Sequence, residues 1–305
     1  MDLRKIAIVT TSRGDRWPLD SIIRAFYASN EIDLVLLVGG ALSIENPKSR
    51  ELRFFEEWPE IVIHDIGGFA QTLSPFGIAK AIGEMLPTLT ETLSMVRPDI
   101  LIILGDRTEM LAVATAASLC SIPIAHIHGG EKSEGSTDDA TRHALTLLSH
   151  LHFCSSKGSF QRIAQLGVNP ERIYVTGAPS LDRFRESKST ESIENLSKQL
   201  NFSLVRPVAL MTYHPPTLDL ENIHIELEAI IQACSKLGSV IVTLPGIDPK
   251  SDQIRARLTE WEQSSNNIKA FESLGTIYGE VLSNVDFMIG NSSSGIVEAG
   301  FLGIP

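Results

Sequence analysis

The densest chemistry in the sequence is His126-Ile-His-Gly-Gly-Glu-Lys-Ser-Glu-Gly-Ser-Thr-Asp-Asp-Ala-Thr-Arg-His143. His126 and His128 alternate, which on a strand puts both on one face. Gly129 and Gly130 let the backbone turn sharply or approach a ligand. Glu131, Glu134, Asp138 and Asp139 follow within a short loop, and Arg142 and His143 come one helical turn after the aspartates. Titratable groups this close shift one another's proton affinity, so proton transfer is the expected chemistry. Asp138 and Asp139 also suit a helix N-terminus. His-x-His beside carboxylates could ligate zinc, but no Cys or His spacing elsewhere completes a shell, and no metal is expected. His150 and His152 read as core residues.

Three further places follow strand-like runs. Thr10-Thr-Ser-Arg-Gly-Asp15 is small and polar, and Arg13 could grip a phosphate with both arms of its fork. In Leu104-Gly-Asp-Arg107, two opposite charges follow an apolar run, as a cleft pair or with Asp106 as a helix N-cap. In the second half, Thr212-Tyr-His-Pro-Pro216 is joined by Gly290-Asn-Ser-Ser-Ser-Gly295. Free N–H groups and the Ser292 and Ser293 hydroxyls at a helix start make an anion cradle. Glu298, one turn in, could accept from ribose hydroxyls. The sequence has no GxGxxG, GxxxxGK[ST] or HExxH, and Gly290–Gly295 misses the Gly-x-Ser-x-Gly nucleophile elbow.

The elements that must position these groups alternate between short β-branched runs and amphipathic segments, the pattern of parallel βαβ units. Strands are expected near Lys5–Thr11, Asp33–Val38, Ile61–His64, Asp99–Leu104, Pro123–His128, Leu151–Cys154 and Arg172–Val175. Helices fall between them, over Leu19–Ser29, Gly77–Val96, Glu109–Leu119 and Asp138–Ser149, with Pro98 stopping the longest. Polar sequence over 183–206 reads as a connection carrying a short helix. A second series follows: strand Pro207–Thr212, helix Glu221–Leu237, strand Ser239–Leu244 and helix Pro249–Gln263. A strand near Ile268–Ala270, a helix near Gly275–Leu282, strand Val285–Ile289 and helix Ser293–Leu302 complete it. The expected fold is therefore α/β, with doubly wound domains over 1–182 and 207–305 facing a cleft at the carboxyl ends of their strands.

Length and composition agree. At 305 residues two domains are expected, and 43% hydrophobic with 21% charged residues excludes a disordered chain or a coiled coil. With 26 Lys and Arg against 37 Asp and Glu, the net charge of −11 argues against nucleic-acid or anionic-membrane binding. Cys120, Cys154 and Cys234 make no disulfide framework and read as reduced thiols. The N-terminus shows no signal peptide and no apolar run approaches the ~20 residues of a membrane span, so a cytoplasmic protein is expected. The sequence stops at Phe301-Leu-Gly-Ile-Pro305, where another strand would ordinarily follow a helix, so the second domain is expected to be incomplete.

Taken together, SRGD, LGDR, HIHGGEKSEGSTDDATRHALT, TGAPSLD, TYHPPT and IGNSSSGIVEAGFLGIP, in that order, resemble the UDP-N-acetylglucosamine 2-epimerases. The resemblance is strongest to the bacterial hydrolysing branch, which makes N-acetylmannosamine for sialic-acid synthesis, and it covers essentially the whole chain. It implies two Rossmann-like domains in the GT-B arrangement, UDP held mainly by the second, and a homodimer or homotetramer. It implies anti elimination of UDP followed by hydration of a glycal, without metal or nicotinamide. UDP-GlcNAc is the default substrate, UDP-N,N′-diacetylbacillosamine of legionaminic-acid synthesis the competitor, and a GT-B glycosyltransferase the alternative activity. Carried over by motif, Asp106, Glu131 and Asp138 are acid/base positions, with Asp139 and His128 beside them. Arg13, Asp15, Arg107, Arg142 and His214 are expected to contact the substrate, with Ser292 and Ser293 as the UDP cradle and Glu298 on the ribose. The chain departs from the family pattern at His128, where non-hydrolysing relatives carry Glu, at Arg13-Gly-Asp-Arg16, and at Pro245-Gly-Ile-Asp248.

Overall fold

A computed structural model describes residues 3–47, 55–72, 74–133, 138–186, 192–216, 221–246 and 250–305. Among these, β1 (Arg4–Thr10), β2 (Ile32–Gly39), β3 (Val62–Gly67), β4 (Ile100–Leu104), β5 (Ile124–Ile127), β6 (Leu151–Cys154) and β7 (Ile173–Val175) form one parallel sheet. Its order is β3-β2-β1-β4-β5-β6-β7. Parallel strands covered on both faces need apolar side chains on both, hence their nearly unbroken hydrophobic runs. Ala7, Val9, Leu37, Leu101 and Ile103 pack against Met85, Leu89 and Leu93 of helix Pro75–Val96. Ile8, Leu36 and Val38 pack on the other face against Leu19 and Ile23 of helix Arg16–Tyr27. Strand order reverses between β1 and β4, so the loops leaving these strands diverge and leave a crevice at their carboxyl ends.

The second sheet, order β10-β9-β8-β11, is built the same way from β8 (Val208–Thr212), β9 (Ser239–Thr243), β10 (Ile268–Phe271) and β11 (Phe287–Gly290), again all parallel. Its switch point lies between β8 and β11. There Gly290 has a φ of 135°, and a Cβ would lie 1.8 Å from the Thr212 carbonyl oxygen, so only glycine fits. The chain divides into compact units Met1–Ser180 and Leu181–Pro305. The segment expected to connect the domains carries helices Asp182–Glu186 and Ile193–Gln199. Leu196 and Leu200 are buried with Val208 and Leu210 in the second unit's core, and Phe184 and Ile193 pack against it. Apolar spacing of three and four residues gives that short helix one buried face.

Two expected helices are broken. Ser293–Leu302 consists of a 3-10 turn, Ser293–Gly295, and a separate helix, Glu298–Leu302. Gly275–Leu282 is likewise a 3-10 turn, Gly275–Ile277, leading into helix Tyr278–Asn284. Glycine and side-chain hydroxyls that bond the backbone locally compete with the α-helical ladder at these starts. Among the described residues no helix is long and apolar enough to cross a membrane.

Candidate active site

The first unit gathers its acidic groups around one buried arginine. Arg142, on helix Asp138–Leu148, is 3% exposed. It donates to the Asp106 carboxylate beyond β4, to Asp139 Oδ1 at 2.7 Å, to Ser133 Oγ at 3.0 Å and to the Glu131 carbonyl at 2.9 Å. Its fork is turned inward and supplies the counter-charge for the two half-buried carboxylates, Asp106 and Asp139. Asp139 also accepts from the Ser133 backbone N–H at 2.8 Å, which ties Ser133 to the start of the helix. Burial raises the Asp106 pKa; Arg142 opposes that rise, while the nearby Asp138 and Glu131 add to it.

The two histidines of this block separate. Strand β5 ends at Ile127, and His128 has a left-handed φ of 65°, so the shared strand face expected for His126 and His128 is not formed. His128 Nδ1 lies 2.6 Å from Glu131 Oε1. Burial alone would raise the Glu131 pKa, but the His128 hydrogen bond and charge, Ser155 and Arg142 outweigh it and hold the carboxyl below its usual value. His126 is fully buried instead, with Nε2 2.7 Å from the Gly105 carbonyl and Nδ1 3.2 Å from Thr146 Oγ1. Facing a carbonyl, Nε2 must carry the proton. Burial drives the His126 pKa down to about 4, so the neutral ring ties β5 to the turn that carries Asp106. Among the described residues no group of three His, Cys, Asp or Glu is arranged to hold a metal ion. His152 is buried, its pKa also lowered to about 4 by burial, and His150 Nδ1 accepts from the Ile124 N–H at 3.2 Å. Glu134 and Asp248 lie outside the described residues.

At the first unit's switch point, Asp15 is buried against its own turn. Its Oδ2 accepts from Thr10 Oγ1 at 3.0 Å, the Thr11 N–H at 2.8 Å and the Ser12 N–H at 3.0 Å. Ser12 accepts in return from the Gly14 N–H at 3.0 Å. Through these bonds Asp15 anchors the turn presenting Arg13, which is half-buried. The Ser12-x-x-Asp15 spacing of a capping box was a signal for this. Burial raises the Asp15 pKa against the opposing charge of Arg107 and these hydrogen bonds. Arg107 pairs with Glu109 at 2.9 Å.

In the second unit, Asn291 holds the peptide of His214 from both sides. Ser292 caps the 3-10 turn, accepting from the Ser294 N–H at 3.4 Å, while Ser293 stands exposed and Glu298 is half-buried. Ser294 Oγ is hydrogen-bonded to the Tyr278 hydroxyl. The helix here has only five residues, so this turn presents hydroxyls and turn N–H groups rather than a long helix dipole. Asn291, Ser133 and Tyr278 join these clusters through partners distant in the chain, which no local sequence signal specifies.

Comparison with known proteins gives the context. A family model described as UDP-N-acetylglucosamine 2-epimerase matches residues 29–305. A protein of Legionella pneumophila named UDP-N,N'-diacetylbacillosamine 2-epimerase (hydrolyzing) is 32% identical over 299 residues, covering 97% of this chain and 78% of the relative. One of Campylobacter jejuni, named GDP/UDP-N,N'-diacetylbacillosamine 2-epimerase (hydrolyzing), is 29% identical over 315 residues, covering 100% and 80%. The UDP-GlcNAc 2-epimerase structure from Neisseria meningitidis, bound to UDP-GlcNAc, superposes with a TM-score of 0.81 at 20% identity, covering 99% of this chain and 81% of that one. At that identity the likeness is one of fold, and it agrees with the doubly wound α/β architecture expected from the sequence.

Proposed function

The chain belongs to the UDP-N-acetylglucosamine 2-epimerase family, and we propose that it is a hydrolysing 2-epimerase that converts a UDP-linked 2-acetamido hexose to UDP and the free 2-epimeric sugar. The observation that carries this reading is the pair Asp106 and Glu131. Arg142 holds Asp106 by its carboxylate and Glu131 by its backbone carbonyl, yet burial raises the Asp106 pKa while His128 and its neighbours lower that of Glu131. Carboxyls pushed apart in this way can hold and accept a proton at the same pH. C2–H of a sugar is a weak acid, so a base of raised proton affinity must be positioned against it.

In the proposed reaction a base takes the C2 proton, its electrons form the C1=C2 bond, and the C1–O bond breaks with its pair leaving on UDP. Water then adds across the glycal, oxygen to C1 and a proton to C2 from the opposite face, which inverts C2. Asp106, Glu131, Asp138 and His128 supply and remove these protons. Arg13 and Arg107 meet the charge developing on the departing diphosphate. His214, Ser292, Ser293 and Glu298 hold the nucleotide, with the hydroxyls on phosphate and the carboxylate on ribose.

Of the two substrates weighed from the sequence, the names of the Legionella and Campylobacter relatives favour UDP-N,N′-diacetylbacillosamine over UDP-GlcNAc, the default. Incubation with each sugar in D2O decides. UDP should appear with the free 2-epimer carrying one deuterium at C2, faster for the true substrate. Sugar transfer to an acceptor without C2 exchange would point instead to a glycosyltransferase. Release of UDP from neither sugar would overturn the proposal.

A further inference from the structure

Helix Lys157–Gln165 plays no part in the chemistry above, yet it forms the floor under the acid/base loop. Gly130 has a φ of 72°, and a Cβ there would come 2.5 Å from the Ser159 carbonyl oxygen and 2.7 Å from the Ile163 side chain. The loop backbone therefore lies directly on this helix. From the same helix Arg162 Nε donates to the Gly130 carbonyl at 2.5 Å. The next carbonyl along, that of Glu131, accepts from Arg142 at 2.9 Å. Two consecutive peptide oxygens are thus gripped by arginines from two different helices. The segment leading into the floor helix adds two ties: the His128 N–H donates to the Phe153 carbonyl at 3.0 Å, and Ser155 hydrogen-bonds the Glu131 side chain.

We propose that Arg162 is a positioning residue for the acid/base loop: by holding the Gly130 carbonyl it fixes the direction in which the Glu131 side chain leaves the backbone to meet His128. Glycine imposes little conformational preference of its own, so the orientation of the Gly130–Glu131 peptide has to come from outside. Arg142 is poorly suited to set it alone, because its fork is shared with Asp106, Asp139 and Ser133. A charged donor on a carbonyl is roughly twice as strong as a neutral one, which suits a contact that must resist peptide rotation. The helix itself is anchored independently, with Ile163 buried against Cys154 and Ile173. Arg162 is only half-buried, so its truncation leaves that core in place.

The proposal rests on Glu131 being an acid/base group, and the test separates the two ideas. Arg162→Gln and Arg162→Lys are compared with the wild-type chain in UDP release from both UDP-sugars. In parallel the Glu131 carboxyl is titrated by carbon-13 NMR, with its resonance assigned from Glu131→Gln. The groups around that carboxyl are His128, Arg142, Asp106 and the Cys154 thiol. Arg162→Gln should lower kcat by about ten- to a hundredfold, the scale of a catalytic group displaced by about 1 Å. KM should stay within about threefold, as for loss of an interaction felt in the transition state, with partial rescue in Arg162→Lys. The Glu131 midpoint should move up toward that of an ordinary carboxyl as the His128 contact loosens. An unmoved Glu131 titration overturns the proposal whatever the kinetics. If the wild-type chain releases no UDP from either sugar, the proposed function fails, and the titration alone still decides for or against the positioning role.

Discussion

Asn291 grips the peptide of His214 by both edges, its Oδ1 accepting from the His214 N–H at 2.8 Å and its Nδ2 donating to the His214 carbonyl at 2.8 Å. The two residues are 77 apart in the chain, one after β8 and one after β11, so this single side chain joins the two loops at the second unit's switch point. Asn291→Ala should weaken UDP binding by about tenfold, since the loop carrying His214 loses its tether at a cost of about 1–2 kcal/mol. Asn291→Asp keeps the acceptor but turns a carboxylate oxygen onto the His214 carbonyl and adds negative charge, and should weaken UDP binding at least as much. Calorimetric titration with UDP checks both. Weakening comparable to Asn291→Ala is expected on replacing Ser292 and Ser293 together by Ala.

Asp106→Asn and Glu131→Gln should each lower UDP release by at least about a hundredfold, the range for losing a positioned proton-transfer group. Their UDP affinity should stay within about threefold, because neither carboxyl is assigned to the nucleotide. Initial rates and UDP titrations on the same preparations separate the two effects. Near-normal turnover in both variants would remove the acid/base assignment.

Two glycines should respond oppositely to alanine. At Gly290 the added methyl would sit 1.8 Å from the Thr212 carbonyl oxygen at a φ of 135°, so Gly290→Ala should cost more than about 3 kcal/mol or prevent folding of the second unit. Gly83 is exposed within helix Pro75–Val96, with nothing within 4 Å of the new methyl. Gly83→Ala should therefore stabilise the fold by about 1 kcal/mol. Urea unfolding of the three proteins measures the contrast.

Two buried histidines should erode stability in mild acid. His126 has a folded pKa of about 4 against about 6.5 when unfolded. Above pH 6.5 the ring is neutral in both states and its contribution is complete. As pH falls from 6.5 toward 4 only the unfolded chain takes up the proton, and stability drains away, by roughly 2 kcal/mol at pH 5 from this residue. His152, also held at about 4, acts in the same direction. Asp15 and Asp106, whose pKa values are raised, act in the opposite direction, so the histidine effect is read as a difference: from pH 7 to pH 5 the urea midpoint should shift downward more in the wild type than in His126→Asn. An equal drop in wild type and variant would show that His126 is not the sensor.

The layer architecture is legible from the amino-acid pattern alone. Short uninterrupted apolar runs such as Ile100–Leu104 and 208–211 suit strands of a sheet covered on both faces, and the helical segments between them leave parallel connection as the consistent solution. The same local logic picks out the candidate segments, because in such a sheet the loops after the strands are what remains to hold ligand. What these side chains do once there was decided by tertiary structure. Asp15 turned back onto Thr10, Thr11 and Ser12, and His128 left the strand through a left-handed φ. Arg142 closed inward on an aspartate 36 residues away, and Asn291 reached His214 across 77. Periodicity encodes which face of an element is buried. It carries no record of which distant polar group will be there to satisfy a buried charge or peptide, and that requirement, met only when the strands lie side by side, assigns the partners.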